Sequence, residues 1–420
     1  MKVTLTPSSP KGSIKAISSK SAAHRLLICS AFADTDTAIL CNDTNNDIEA
    51  TARCLSALGA KIRRDAPYYY VSPIKEINRN ALLDCGESGS TLRFLVPIAA
   101  ALGADADFLM SGRLPLRPLS PMREELEVHG ITFSPMGSNP LSVRGRLSGN
   151  KFSITGNVSS QFISGFLFAL SLLGQSSTLE ITGNTESLPY IEMTENALSM
   201  FSVKPQKAEN IYSFSKDTRL SSPKEIDVEG DWSNAAFIMA AGALSEKGVT
   251  VRGISPDSLQ GDKEFANILS SFGAKVVFDG SGYTVSSGSL KGITLDASQI
   301  PDLVPITAAI ASVSEGTTKI YGASRLRIKE SDRLATTTAM LRALGADIEE
   351  LDDGLIIHGK KRLSGGITSS FADHRIAMSA AIVSAACLSD VTVENAEAVE
   401  KSYPAFWQDL LSLNFSLSIS

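Results

Sequence analysis

The chain has no apolar run that reaches the ~18 residues a membrane helix needs. Its longest apolar stretches, Phe162–Gly174 and Ile376–Leu388, are shorter and carry serines. Cysteine is scarce: Cys29, Cys41, Cys54, Cys85 and Cys387 make an odd count of five with no metal-ligand spacing. That excludes a disulfide scaffold and a zinc module, and the expectation is buried, reduced thiols. Positive charge is in deficit. Lys+Arg number 39 against Asp+Glu 45, a net charge of −6, the wrong sign for a nucleic-acid binder. The opening Met1–Pro7 has no apolar core, so no secretory signal is expected and the cytoplasm is the expected location. No G-x-G-x-x-G or G-x-x-x-x-G-K-[ST] follows a strand pattern, which weakens a nucleotide fold. What remains is ordinary: 420 residues, 43% hydrophobic and 20% charged. This balance excludes disorder and coiled coil and predicts two or three domains.

One unit recurs six times. Each has a polar or acidic start, an Ala-rich apolar stretch, a turn and a β-like run. The starts lie near Ser21, Ser88, Ser159, Asp231, Asp302 and Asp373, 67 to 72 residues apart. A second, amphipathic helix follows in each unit: Phe265, Ile268, Leu269 and Phe272 fall on one helical face, with Gly273 just beyond. The same phrase recurs at Leu55–Ala60 and Leu341–Ala346. A stretch apolar on every face belongs inside a domain. The fold class read from this is α/β: two domains of three βαβαββ-like repeats, buried helices inside. The break is expected near Ser221–Lys224, and the strand Lys2–Pro7 could pair with either half. An ordinary doubly wound α/β protein is the alternative.

The helix starts differ between the halves. The first three carry hydroxyls: Lys20-Ser21, Ser88-Gly89-Ser90-Thr91 and Ser159-Ser160-Gln161. Helix N-termini bind anions through free N–H groups and a partial positive charge. The last three carry Asp231, Asp302 and Asp373, each of which alone reads as an N-cap. Cations crowd beside these starts: Lys20 and Arg25, Arg113 and Arg117, Arg327–Arg333, Arg375 and Lys401. One such run is usually a solvated face. Five of them in a net acidic chain point to a site for small polyanions, with one half suited to phosphate and the other able to accept protons.

The motifs Lys20–Arg25, Gly86–Arg93, Val158–Phe162, Arg327–Leu334 and Asp373–Met378 together resemble the enolpyruvylshikimate phosphate synthase family, over essentially the whole chain. The resemblance implies an inverted α/β fold with domains 19–228 and 1–18 plus 229–420, and a monomer. It implies transfer of the enolpyruvyl group of phosphoenolpyruvate to the 5-hydroxyl of shikimate 3-phosphate, by addition and elimination through a tetrahedral intermediate. No metal or organic cofactor is implied. Asp302 would be the base and Glu330 the acid, with Lys20 also catalytic. Phosphoenolpyruvate would be held by Lys20, Gly89, Arg117, Gln161, Arg333, Arg375 and Lys401. Shikimate 3-phosphate would be held by Ser21, Arg25, Ser159, Ser160, Gln161, Ser187, Asp302 and Lys329. His374 would orient other groups. Glyphosate would compete with phosphoenolpyruvate, and the halves would close on ligand. Glu87 stands where the family often has Asn, Ser90 where Thr is common, and Leu188 where some members have Lys; no role passes to Arg325. The alternatives are the UDP-N-acetylglucosamine enolpyruvyl transferase, whose reactive cysteine loop has no counterpart in Ser111–Pro121, and a non-catalytic phosphometabolite-binding protein.

Overall fold

The computed structural model describes all 420 residues, Met1–Ser420. They form six four-stranded sheets, each with the same plan. In one of them Lys151–Thr155 runs parallel to Ser177–Thr182, Ile211–Phe214 lies antiparallel to the latter, and Gln206–Ala208 forms the edge. A parallel pair needs a long crossover, and here it is the buried helix Ser160–Leu172. The chain divides into two compact units, Ser18–Val228 and Met1–Ile17 with Glu229–Ser420.

In the unit Ser18–Val228 the parallel pairs are Lys151–Thr155 with Ser177–Thr182, Leu82–Asp84 with Ala106–Leu109, and Glu225–Asp227 with Thr37–Leu40. The third pair corrects the expected break at Ser221–Lys224. Glu225–Asp227 completes the sheet begun by Thr37–Leu40, and Val228 N–H donates to the Leu40 carbonyl at 2.8 Å, so the chain leaves this unit only after Val228. In the other unit the pairs are Gly12–Lys15 with Val249–Arg252, Thr294–Asp296 with Thr317–Tyr321, and Gly366–Ser369 with Val391–Glu394. The leading strand Lys2–Thr6 lies antiparallel between Val391–Glu394 and Ser416–Ile419, which settles which half it joins.

The apolar stretches became the interior helices. Every residue of Val304–Ala311 and of His374–Val383 is buried, as is Ala23–Ala31 of the helix Lys20–Ala31. Each large apolar side chain so placed contributes about 1.5–3 kcal/mol. The second helices are one-sided: Phe265, Ile268, Leu269 and Phe272 are buried, while Asn267 and Ser270 are exposed. Gly273 ends that helix at φ +100°, in the region that favours glycine.

The helices Gly89–Leu102 and Ser160–Leu172 cross closely for a sequence reason. Pro97 has no N–H, so it cannot bond the Arg93 carbonyl four residues back. Gly165 sits against that carbonyl, and a Cβ there would collide with it and come within 2.8 Å of Pro97 Cγ. Gly165→Ala is therefore expected to lower stability by about 1–3 kcal/mol through overpacking, seen as a melting point several degrees lower. An unchanged melting point would mean that the two helices can slide apart freely.

Candidate active site

In the unit Ser18–Val228 the site residues collect at helix starts. Ser19, not Ser21, caps the helix Lys20–Ala31, accepting from Ala22 N–H at 3.3 Å. Ser21 is left in the first turn beside Lys20, whose Nζ lies 2.9 Å from Asp47 Oδ2. Arg25 is 3% exposed. Its guanidinium donates to Thr194 Oγ1 (2.9 Å) and to the carbonyls of Ser21 and Tyr190 (2.7 Å each), and lies over the Phe94 ring. Burial lowers its pKa to about 10. Three donors fixed by backbone and hydroxyl oxygens hold the planar head in one orientation, which suits a bidentate anion better than a mobile Lys would.

Ser88 caps the helix Gly89–Leu102, and Ser159 caps Ser160–Leu172 by accepting from Gln161 N–H at 3.3 Å. Gln161 ties the two starts together: its Nε2 donates to Ser90 Oγ at 2.9 Å and its Oε1 accepts from Arg93 Nη1 at 3.0 Å. Arg93 and Arg117 both hang over Gly89; a Cβ on that residue would meet an Nη1 of each at 2.7 Å. Gly89 thus leaves its helix start open to an anion beneath two guanidinium groups. The sequence motif contains Arg93 but assigns it no role. Its place four residues after Gly89, on the same helical face, is the signal that could have found it. Ser187, at φ 54°, precedes the helix Leu188–Met200 and is 3% exposed. Glu87 is exposed, with its carboxylate against Gly112.

In the unit holding Glu229–Ser420 the pattern is a charge cluster. Asp231 and Asp373 are N-caps, accepting from Asn234 and Arg375 N–H. Asp302 is not. Pro301 and Pro305 flank it, and it sits in a 3₁₀ turn, Pro301–Leu303, ahead of the helix Val304–Ala311. Its carboxylate is therefore released from capping and faces cations: Arg333 Nη1 at 2.8 Å, Arg375 Nη2 at 3.1 Å and Lys329 Nζ at 3.6 Å. Burial opposes its charge, but Arg375, Lys329 and Arg333 outweigh that and hold the carboxyl well below the usual range. Lys329 is pushed down to about 8, by burial first, against the pull of Asp302.

Arg333 is 1% exposed and is the centre of the cluster. It donates at 2.8 Å to each of Asp373 Oδ2, Asp302 Oδ1 and Glu330 Oε2. Four of its five N–H groups are thereby committed to carboxylates, the fourth through a longer bond to Asp373 Oδ1 at 3.3 Å. Glu330 also lies 3.9 Å from Lys401 Nζ. His374 is buried and adjoins the Asp373 carboxylate, at 3.8 Å. Arg325 donates to the Ser298 carbonyl. Asp262 escapes sequence reasoning altogether. It is 1% exposed, accepts from Ser233 Oγ, and is raised to about 6 by burial and then by the charge of Asp302. It lies in a short 3₁₀ turn, Gly261–Glu264, with no repeat or motif to single it out.

The arrangement can grip several anionic groups and offers two carboxylates, 2.8 Å from one guanidinium, for proton transfer. The five cysteines are buried, and burial, then the neighbouring Cys54, raises the Cys85 thiol well above the usual range, so Cys85 is a poor nucleophile. No helix is long and apolar enough to cross a membrane.

Comparison with known proteins agrees on one family. The family model described as EPSP synthase (3-phosphoshikimate 1-carboxyvinyltransferase) matches residues 6–410. A Clostridium kluyveri protein named 3-phosphoshikimate 1-carboxyvinyltransferase is 40% identical over 413 residues, covering 98% of this chain and 97% of that one. A Clostridium perfringens protein of the same name is 41% identical over 416 residues, covering 98% of each. Among solved structures, an EPSP synthase from Acinetobacter baumannii is similar over the full length of both chains, with TM-score 0.79 and 24% identity. The enolpyruvyl transferase NikO from Streptomyces tendae has TM-score 0.79 and 16% identity, over 99% of this chain and 98% of that one. These two show the shared fold alone.

Proposed function

The chain belongs to the EPSP synthase family and transfers the enolpyruvyl group of phosphoenolpyruvate to shikimate 3-phosphate, and from that premise we propose which residues carry each step. Asp302 takes the proton of the 5-hydroxyl as its oxygen attacks C2 of phosphoenolpyruvate. Glu330 delivers a proton to the methylene carbon, giving a tetrahedral intermediate with a methyl group. Elimination reverses the second transfer: Glu330 takes a proton back from the methyl, the C2–O bond to phosphate breaks, and inorganic phosphate departs with the proton that Asp302 had taken from the hydroxyl, Lys20 neutralising its charge. Gly89, Arg117, Gln161, Arg375, Lys401 and Lys20 grip phosphoenolpyruvate, with Arg333 behind them. Arg93 joins this set, since its guanidinium shares the space over Gly89. Ser21, Arg25, Ser159, Ser160, Gln161, Ser187 and Lys329 grip shikimate 3-phosphate.

The observation that carries this reading is the placement of Asp302 and Glu330 on one guanidinium, 2.8 Å from Arg333 each, with Asp302 released from capping by its 3₁₀ turn. Five buried free thiols favour a reducing compartment, and we place the enzyme in the cytoplasm as a monomer. The test is phosphate release from phosphoenolpyruvate with two acceptors in parallel. Release with shikimate 3-phosphate and none with a uridine-diphosphate amino sugar is expected. The opposite result would move the protein to the sugar-nucleotide enzymes.

A further inference from the structure

Four buried side chains outside the charged site form one unbroken hydrogen-bonded line. His24 Nδ1 lies 2.7 Å from Thr51 Oγ1, Thr51 Oγ1 lies 2.6 Å from Thr91 Oγ1, and Thr91 Oγ1 donates to Ser88 Oγ at 2.7 Å. His24 is 1% exposed; Thr51, Thr91 and Ser88 are 0% exposed. The line starts on the helix Lys20–Ala31, crosses the helix Asn46–Leu58 and ends on the cap of the helix Gly89–Leu102.

Donor counting fixes its direction. Each hydroxyl has one hydrogen to give. Thr91 gives its own to Ser88, so Thr51 must give to Thr91, and His24 must then give from Nδ1 to Thr51. Burial, opposed by Asp47 and aided by Lys20 and Arg25, lowers the His24 pKa to about 3. The ring is neutral at any working pH, so Nε2 carries a bare lone pair. That atom is buried and has no partner. An ordinary core avoids such an atom, because an unsatisfied buried acceptor is unfavourable. An apolar side chain would fill the place without it. The imidazole is there for its Nδ1 hydrogen.

The far end shows what that hydrogen does. Ser88 Oγ also accepts from the Thr91 N–H at 3.3 Å, which is the cap that opens the helix at Gly89. We propose that His24 is a positioning residue for phosphoenolpyruvate binding: through Thr51 and Thr91 it sets the Ser88 cap, and so aims the Gly89 helix start beneath Arg93 and Arg117. The proposal rests on the family reading only for the identity of the anion. It ties the Gly89 turn to the helix that carries Lys20, Ser21 and Arg25, so a change near one anion grip registers in the other.

The test separates a directed hydrogen from mere packing. Asn can place an amide N–H where Nδ1–H stands; Gln places it near Nε2; Leu has none. In His24→Leu the KM for phosphoenolpyruvate should rise about tenfold, the worth of one directed hydrogen bond, with kcat within about threefold. His24→Asn should return KM to within about twofold, and His24→Gln should not. Thr51→Val should match His24→Leu, the double variant should be no worse than either single one, and Thr51→Ser should restore binding. Should His24→Leu fail to fold, the Thr51→Val and Thr51→Ser pair decides alone. Equal KM in His24→Leu and wild type, or Asn no better than Leu, overturns the proposal. A readout free of turnover is the imidazole nitrogen spectrum, tractable with only four histidines. It should show Nδ1 protonated and Nε2 bare between about pH 5 and pH 9, a window well above the ring's titration. A protonated Nε2 overturns the relay even if the enzyme proves to use another acceptor, whereas an inactive wild type with the correct spectrum faults only the family reading.

Discussion

Asp302→Asn is expected to lower turnover by roughly 10²–10⁴, and Glu330→Gln by a similar factor, the usual worth of a placed base or acid. The amide in place of the Asp302 carboxylate would keep the shape but could not accept the hydroxyl proton. One side of that amide would also present N–H groups to Arg333 or Arg375, which have only donors to offer. Binding of shikimate 3-phosphate should survive in Glu330→Gln. Steady-state phosphate release and a binding titration read the two effects separately. Near-normal turnover in either variant would remove that residue from the chemistry.

The wild type should show why the base needs its substrates. In the free protein both oxygens of Asp302 face cations, and Arg375, Lys329 and Arg333 hold the carboxyl well below the usual range. So weak a base is a poor proton acceptor near neutrality. Anionic substrates that take up Arg375 and Lys329 remove part of that stabilisation, and the Asp302 pKa must then rise. The acid limb of kcat/KM reports the free enzyme and that of kcat the bound complex. The limb in kcat should accordingly lie at higher pH, and coincident limbs would contradict this account of the base.

Much of the architecture was legible because a six-fold repeat states the same packing problem six times. The motif Asp231–Ile238 and its counterpart at Asp302 both lead into a buried helix, with Ser233 alone partly exposed in the first, and a helix apolar all round has only one place to go. Glycine marked helix ends at Gly59 and Gly273 because the backbone there has positive φ. Proline upset the analogy between repeats. At Asp231 the aspartate caps, whereas at Asp302 the flanking prolines tighten the start into a 3₁₀ turn and leave the carboxylate to Arg333 and Arg375. Homology of position hid a difference of chemistry. Turn composition alone put the break at Ser221–Lys224 rather than after Val228, since Glu225–Asp227 is three residues long and its partner, Thr37–Leu40, lies far back in the chain. Asp262 and the His24 line are products of tertiary packing: their partners are distant in sequence, and a buried carboxyl or imidazole looks like any other until its neighbours are known.

Arg333→Met should destabilise the protein by about 3–5 kcal/mol near neutral pH, as breaking a buried ion pair does. Methionine roughly fills the volume, so the loss measures charge. Asp373 is fully buried and would keep Ser331 Oγ, its own cap at the Arg375 N–H and the His374 ring at 3.8 Å, but no guanidinium. Asp302 would keep Arg375 and Lys329, and Glu330 would keep Lys401 at 3.9 Å. Three carboxylates brought together around one guanidinium would then repel each other. The pH dependence gives the sign. Asp302 has its carboxyl depressed in the folded protein, so its contribution is present above the unfolded value of about 3.9 and is lost as pH falls through the folded one. The variant lacks much of that contribution, so the gap between variant and wild type should be full at neutral pH and narrow as pH drops below about 4. Urea unfolding at neutral and acid pH reads it. A gap under about 1 kcal/mol at neutral pH, the worth of an exposed pair, would mean that water enters the cluster in solution and that Arg333 is available to bind substrate directly.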